Sequence, residues 1–158
     1  PSIGKLKNVK TLDLYRINLI RIPPEIGEME SLVQFVPYTS YRLHWFPYEI
    51  TRCKNLADST VSTRALYGNY KYRQPFPSLE SVVTQLVPEC CSVCGNQMVQ
   101  GQVEQVWISL GVASDVLPLL VNACSTTCIN QLPPAAQDYV QGPHKGGRHL
   151  QQPPASGL

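Results

Sequence analysis

The hydrophobic positions of the first 66 residues recur at a nearly constant spacing. The stretch PSIGKLKNV (1–9) is echoed, at an offset of 23 residues, within IPPEIGEMESL (22–32), and that stretch is echoed by FPYEITRCKNL (46–56) at an offset of 24. Periods of this length predict a solenoid, in which each repeat packs on the next. Cys53 stands where the second copy has Met29, so we expect Cys53 to be a buried structural thiol.

The segment between the first two echoes, VKTLDLYRINLIRIP (9–23), alternates apolar and polar residues like a short strand. Leu12 and Leu14 then point inward, and stacked copies of this strand form a parallel sheet whose outward residues line a concave face. Two and a half repeats bury little apolar surface alone, so we expect further repeats before residue 1. The predicted outward positions are Thr11, Asp13 and Tyr15, then Gln34, Val36 and Tyr38, then Asp58, Thr60 and Ser62.

The pattern changes after the repeats. Residues 78–87 (SLESVVTQLV) have helical periodicity, with Ser78 as N-cap. Residues 103–110 (VEQVWISL) and 118–123 (PLLVNA) have strand character, and Gly111 marks the turn between them. The tail, 133–158, is rich in Pro, Gly and Gln and has few apolar side chains, so we expect it to be disordered.

Cysteines flank the predicted hairpin in two pairs. Cys91-x2-Cys94 is followed by a glycine that allows the sharp turn of a zinc knuckle, and Cys124-x3-Cys128 has the spacing of one face of a first helical turn. The helix start is expected to lower the thiol pKa of the second pair. Knuckle, hairpin and helix together predict a treble-clef-like zinc module with one structural zinc ion. Four thiolates close the coordination shell and leave no open position for catalysis.

Other interpretations of the cysteines stay open at this point. Cys90 could replace Cys91 as a ligand through a Cys-x3-Cys spacing, or serve as a nucleophile in an enzyme, although the local sequence contains no histidine, lysine or arginine. Reduced core cysteines are a further alternative, and disulfides are the least favoured one. We favour zinc held by Cys91, Cys94, Cys124 and Cys128.

Charge argues against some partners. The formal net charge is only +2, and residues 74–136, which include the predicted zinc module, contain neither Lys nor Arg. A surface that grips nucleic-acid phosphates needs such residues, so we expect no nucleic-acid partner. No apolar run approaches the length of a membrane span, so we also expect no membrane partner.

The repeat motif resembles the leucine-rich repeat family, in the L-P-x-x-I-G-x-L variety found in intracellular scaffold proteins. Together with LYGNYKYRQPFPSL (66–79), CSVCG (91–95), VWISL (106–110) and LPLLVNACSTTC (117–128), it is similar to eukaryotic, notably fungal, repeat proteins with a C-terminal four-cysteine zinc module. The likeness spans most of residues 1–132. It implies an intracellular, cytoplasmic binding protein, of a general kind that includes adaptors in signalling and in ubiquitin ligation.

These observations predict an α/β fold with four parts: leucine-rich repeats (1–66), a linker and repeat cap (67–87), a zinc module (88–132) and a disordered tail (133–158). The favoured function is a non-catalytic scaffold or adaptor that binds a protein partner and has no small-molecule substrate. The alternatives are a nucleic-acid-binding zinc finger and an adaptor subunit of a ubiquitin ligase. The expected partner contacts on the concave face are Asp13, Tyr15, Gln34, Val36 and Tyr38.

Overall fold

A computed structural model describes residues 2–156. It has mixed α/β character, with two three-stranded sheets and short 3-10 helices. Within residues 2–156, no helix is long and apolar enough to cross a membrane. The strands are β1 (Thr11–Asp13), β2 (Gln34–Val36), β3 (Phe46–Pro47), β4 (Asp58–Ser59), β5 (Glu104–Val112) and β6 (Asp115–Ala123), and the α-helix is α1 (Thr126–Asn130). The 3-10 helices are Ile3–Lys5, Pro24–Glu28, Tyr48–Arg52, Thr63–Ala65 and Thr84–Leu86.

The first sheet confirms the predicted parallel pairing of β1, β2 and β4. Thr11 pairs with Gln34 at an offset of 23 residues, and Gln34 pairs with Asp58 at an offset of 24. Hydroxyl groups repeat the spacing: Thr39 Oγ1 accepts from the Arg16 amide at 2.9 Å, and Ser62 Oγ accepts from the Thr39 amide at 3.0 Å. Ser62 is therefore buried, contrary to the prediction that it points outward, because its hydroxyl is turned into the structure to bind the preceding copy.

Glycine permits close packing of the first 3-10 helices. A Cβ at Gly27 would lie only 2.5 Å from the Glu49 carbonyl oxygen, and a Cβ at Gly4 would meet the Glu28 side chain in the same way. Residue 51, at the equivalent place in the third copy, is a threonine. Close packing thus requires a glycine at Gly27, where the neighbour is backbone, whereas the Glu28 side chain opposite Gly4 can move.

The second sheet has the order β3-β6-β5 and is built on the predicted hairpin. β5 and β6 pair antiparallel from Glu104–Ala123 to Val112–Asp115, and β3 from the repeat region adds to β6 in parallel. The turn lies at Ala113 and Ser114, slightly beyond the predicted Gly111. Both strands therefore extend further than the apolar pattern indicated.

The hairpin buries both of its faces, as the twofold alternation of a strand allows. Side chains at alternate positions, from Val106 and Ile108 on β5 to Leu119 and Val121 on β6, join the core of the repeats. On the opposite face, Trp107 and Leu120 pack with residues of the linker in a second cluster. Nine-residue strands covered on two sides form a rigid support for the cysteine-containing segment at the end of β6.

The repeats and the cysteine-containing region share one hydrophobic core. Phe35 on β2 packs edge-on against Phe46 on β3, with ring centroids 6.1 Å apart, and both rings are fully buried. Phe46 also pairs with Leu119 of the hairpin through the backbone. Residues from before position 66 and from after position 88 therefore pack in one hydrophobic cluster.

The linker differs from the predicted helix at 78–87. It is mostly irregular, and only Thr84–Leu86 forms a 3-10 turn. The buried Gln105 side chain accepts from the Val83 amide at 2.7 Å and donates to the Val83 carbonyl at 3.1 Å. These bonds occupy backbone groups that helix formation would need.

The tail also differs from its predicted disorder, because it forms backbone hydrogen bonds with the hairpin and with residues 70–79 of the linker. His144 forms an antiparallel bridge with Trp107, with backbone N–O distances of 2.8 and 3.0 Å. The Ala136 amide donates to the Ser109 carbonyl at 2.8 Å. Backbone hydrogen bonds to the free edge of β5 thus hold a segment that contains few apolar side chains.

Candidate metal centre and exposed sheet face

Four cysteines converge beside the end of β6. The sulfur atoms of Cys91, Cys94, Cys124 and Cys128 all lie within 4.8 Å of one another. Cys94 Sγ is 3.6 Å from Cys124 Sγ, which is 3.7 Å from Cys128 Sγ. A tetrahedral ion with Zn–S bonds of about 2.3 Å holds its sulfurs about 3.8 Å apart. The group therefore has the size of a four-thiolate metal site.

The first pair sits on a tight turn. Gly95 has a φ of +78°, a backbone conformation that side chains disfavour, and its amide donates to the Cys91 carbonyl at 3.0 Å. The amides of Val93, Cys94 and Cys124 approach Cys91 Sγ at 3.4, 3.5 and 3.4 Å. This is the knuckle arrangement that the sequence predicts, in which backbone N–H groups stabilise a thiolate.

The second pair is held by the junction of β6 and α1. Ser125 is the N-cap of the helix, and its hydroxyl accepts from the Cys128 amide at 3.3 Å. Cys124 precedes this cap, so only Cys128 lies in the helix, and the two sulfurs are not on one helical turn as predicted. Cys124 and Cys128 therefore lie on opposite sides of the N-cap in sequence, and the start of α1 brings the Cys128 sulfur close to that of Cys124.

The cysteines differ in acidity. Burial opposes ionisation of Cys91, but its three backbone N–H donors outweigh burial and lower its pKa to about 7. Neighbouring thiols, first Cys94 and then Cys128, raise the pKa of Cys124 to about 12. The expectation that the helix start lowers this pKa is wrong, because the hydrogen bonds of Cys124 with the neighbouring thiols oppose its ionisation. A divalent cation bound among the sulfurs would favour ionisation of all four thiols.

The other two cysteines lie outside the cluster. Cys90 is exposed and contributes no sulfur to it, so Cys91 is the member of the adjacent pair that joins. Cys53 is buried, as predicted; its thiol contacts the Ile26 carbonyl oxygen at 3.1 Å, and burial raises its pKa to about 11. Cys53 is thus a structural thiol in the repeat core.

The predicted partner-binding residues share one side of the first sheet. Tyr15 and Tyr38 are stacked, with ring centroids 6.2 Å apart and planes inclined by 4°, and they are 47% and 42% exposed. Asp13 is exposed, its carboxylate accepting from the Tyr15 amide at 2.9 Å. We call Asp13, Tyr15, Gln34, Val36, Tyr38 and Asp58 the outer sheet face.

Within that face, Gln34 donates to the Asp58 carboxylate at 3.1 Å, and Gln34 and Val36 are half-buried. The outer sheet face therefore combines two exposed aromatic rings with neighbouring acidic groups.

A buried polar network behind the knuckle is absent from the sequence predictions. Glu49 is only 4% exposed and accepts from Ser92 Oγ at 2.7 Å, while the same oxygen of Ser92 accepts from the Asn122 amide at 3.0 Å. Arg52 donates to the Ser92 carbonyl at 2.9 Å. In the repeat alignment Glu49 is equivalent to the exposed Glu25, so the pattern carries no signal of this burial.

The chain was compared with protein-family models, with curated proteins and with solved structures. No family model, no curated protein and no solved structure matches it. The cysteine cluster and the outer sheet face are therefore the observations that bear on function.

Proposed function

We propose that this protein is a non-catalytic protein-binding scaffold. In this proposal, residues 1–66 are part of a leucine-rich repeat solenoid that binds a protein partner through the outer sheet face. A treble-clef-like module with one structural zinc ion closes the end of that solenoid. The protein then acts inside the cell as an adaptor.

The observation that carries the binding role is the exposed tyrosine stack. Tyr15 and Tyr38 come from successive copies, and each leaves almost half of its side chain open to solvent. Tyrosines held in place by stacking provide a large contact area with little loss of conformational entropy on binding. The guanidinium of Arg16 lies 5.2 Å from the Tyr15 ring, which adds a hydrogen-bond donor at the rim.

The capping role is supported by the contacts of the hairpin tip. Ser114, at the turn between β5 and β6, accepts from the Ser59 amide at 3.0 Å, and its hydroxyl lies 2.9 Å from the Ser59 carbonyl oxygen. The Asp115 carboxylate accepts from Ser59 Oγ at 2.7 Å. Ser59 belongs to β4, the last strand of the first sheet. These bonds therefore occupy polar groups at the edge of the sheet that would otherwise be free to pair with another strand.

Zinc is the proposed ion because of the donor set. Four thiolates in a tetrahedron favour zinc or iron over hard cations, and a closed four-thiolate shell is typical of structural zinc. No ligand position remains for a substrate water, which agrees with a non-catalytic role.

Metal content tests the zinc part of the proposal. Protein purified without chelator is expected to contain one zinc per chain by mass spectrometry, and Cys94→Ser with Cys128→Ser is expected to contain none. Cys90→Ser is the matched control, because Cys90 neighbours the cluster without joining it, and it is expected to keep its zinc. Iron in place of zinc, or no metal together with six freely reactive thiols, contradicts the proposal.

Partner capture tests the binding part. Wild-type protein carrying a photo-crosslinker at Thr11, beside the outer sheet face, is expected to capture a discrete partner from a cell extract. Tyr15→Ser with Tyr38→Ser is expected to lose that partner while retaining zinc and circular dichroism. Tyr41→Ser removes another exposed tyrosine, 64% exposed, and should leave capture unchanged. Equal capture by the wild-type protein, the double variant and Tyr41→Ser would refute binding through the tyrosine stack.

A further inference from the structure

A cavity of about 200 Å³ opens between the repeats, the linker and the hairpin. Its walls include Trp45, Pro24 and Val87, and Leu120 lies on its inner side. The buried carboxylate of Glu49 lines this cavity and also an adjoining one of about 410 Å³. None of these residues belongs to the outer sheet face or to the cysteine cluster.

Only one of the two oxygen atoms of the Glu49 carboxylate accepts a hydrogen bond from another side chain. One oxygen, Oε1, accepts from Ser92 at 2.7 Å, while Oε2 forms no side-chain or backbone hydrogen bond with residues 2–156. Oε2 is not among the fully enclosed polar atoms that lack a partner, and Glu49 lines both cavities. A carboxylate with 4% exposure and an open oxygen is unfavourable unless a donor reaches it.

No cation in the described chain supplies that donor. The ion pair between Lys7 and Glu30 is the only one within residues 2–156. Arg52 is the nearest basic residue by sequence, but its guanidinium donates to the carbonyls of Ser92 and Cys91, at 2.9 and 3.4 Å. Glu49 therefore forms no ion pair within residues 2–156, although the charge of Arg52 acts to lower its pKa.

The two cavities differ in the charges of their walls. The carboxylates that line them are Glu25, Glu28, Glu49 and Glu89, and the basic residues are Arg21 and Arg52. Arg52 is already engaged by carbonyl oxygens, and Arg21 is exposed. Glu25, Glu28 and Glu89 line only the adjoining cavity, whereas the charged residues that line the smaller cavity are Glu49 and Arg21.

We propose that the smaller cavity binds a primary ammonium group on a short alkyl chain, with the open oxygen of Glu49 as its anionic partner. An ammonium is compact and carries three donors, so it can reach a recessed carboxylate. Its alkyl chain contacts the proline and leucine side chains of the wall, and Trp45 adds an aromatic surface of the kind that attracts cations. The group can belong to a free amine or to a lysine side chain of a partner protein.

The titration of Glu49 is consistent with such a ligand. Burial raises the pKa of Glu49, which outweighs the opposing effect of its hydrogen bond from Ser92. A bound ammonium would stabilise the ionised form. Binding should therefore weaken as the pH falls through the raised pKa of this carboxyl group.

The test uses the full chain and n-butylammonium chloride as the probe, followed by the Trp45 indole signal in nitrogen–proton correlation spectra. Saturable shifts are expected with n-butylammonium and not with n-butanol, which has the same shape without the charge. Glu49→Gln keeps a group that can accept from Ser92 and is expected to weaken binding about tenfold or more. Glu30→Gln removes an exposed carboxylate away from both cavities and is the charge-matched control.

A second probe, lysine capped at both backbone ends, distinguishes the two sources. Tighter binding of capped lysine assigns the cavity to a protein side chain, and tighter binding of n-butylammonium assigns it to a free amine. The proposal is overturned if the neutral alcohol binds equally well, or if neither ammonium binds. It is also overturned if the affinity of the wild-type protein for n-butylammonium does not decrease as the pH is lowered. This measurement needs only the wild-type protein, so it applies even if Glu49→Gln fails to fold.

Discussion

The first sheet and the hairpin region are held together by different kinds of contact. In the first sheet the same bond recurs in each copy: the Arg16 amide donates to Thr39, and the Thr39 amide donates to Ser62, at one spacing of 23 residues. In the hairpin region each contact is unique, as in the bond from Ser92 to Glu49 across 43 residues. Repetition spreads stability over equivalent bonds, whereas the hairpin region depends on single contacts between distant parts of the chain.

This difference indicates which contacts the folded structure can least afford to lose. A lost bond in one repeat leaves its counterpart in the next copy intact. The cysteine cluster has no counterpart, and it joins the knuckle, the end of β6 and α1 at one point. The largest expected effect therefore lies at the cluster.

Metal removal should separate the two regions. Chelation is expected to abolish hydrogen-exchange protection around residues 91–98 and in α1, because structural zinc sites contribute on the order of 10 kcal/mol to folding. Protection in β1 and β2 should fall less, since their backbone bonds do not involve the cluster. Adding zinc back should restore the protection of both regions. Cys90→Ser should lose and regain protection in the same way as the wild-type protein. If chelation removed protection from β1 and β2 as completely as from residues 91–98 and α1, the first sheet would depend on the cluster as much as the hairpin region does.

Truncation of Phe35 should instead weaken both regions together. Phe35 is fully buried and packs against Phe46, whose strand pairs with the hairpin. Phe35→Ala is expected to lower the free energy of unfolding by about 3–5 kcal/mol in urea denaturation. Val33→Ala, at a position 39% exposed, should cost less than about 1 kcal/mol. If Phe35→Ala left exchange in β5 and β6 unchanged, the two sheets would not share a cooperative core.

The same difference explains what the sequence could predict. The strand positions 11–13, 34–36 and 58–59 follow from the repeat, because one copy predicts the next. The hairpin follows from the strand character of residues 103–110 and 118–123, and the four cysteines follow from two short spacings. Each of these signals is local or periodic, so it can be read without knowing which distant residues meet.

The remaining features depend on distant partners. The predicted helix at 78–87 does not form because Gln105 binds the backbone of Val83. The tail is ordered by pairing with β5, and its composition carries no sign of that pairing. Glu49 is buried because Ser92 meets it, whereas the equivalent Glu25 stays exposed.

Acid should release the tail before it affects the first sheet. Burial lowers the pKa of His144 to about 4, below the ordinary value of an unfolded histidine, so the folded state holds the neutral ring. Its Nδ1 accepts from the Gly146 amide at 3.1 Å, a bond that protonation would remove, and Nε2 is buried without a partner. The stabilisation from His144 is present above the unfolded pKa and is lost as the pH falls toward 4.

Limited proteolysis between pH 7 and about pH 4 measures this release. Cleavage within residues 136–150 is expected to increase as the pH falls, relative to cleavage of the repeats, with an acid-active protease calibrated at each pH. His144→Asn should reduce the pH dependence. His149→Asn, at an exposed neighbouring site, should leave it intact. A tail whose cleavage shows the same pH dependence in wild type and His144→Asn would exclude His144 as the controlling group.

The smallest expected effect concerns the hairpin tip, where hydrogen bonds join the hairpin to β4. Ser114→Ala removes the acceptor for the Ser59 amide and leaves that group partly buried without its partner. The expected cost is about 1–2 kcal/mol in urea denaturation, and Ser81→Ala at an exposed site provides the reference. Exchange of the Ser59 amide should accelerate more than exchange of the Thr11 amide on the far strand. If Ser114→Ala cost nothing and left Ser59 protected, packing rather than hydrogen bonding would hold the tip against β4, and the hairpin would not act as an edge cap.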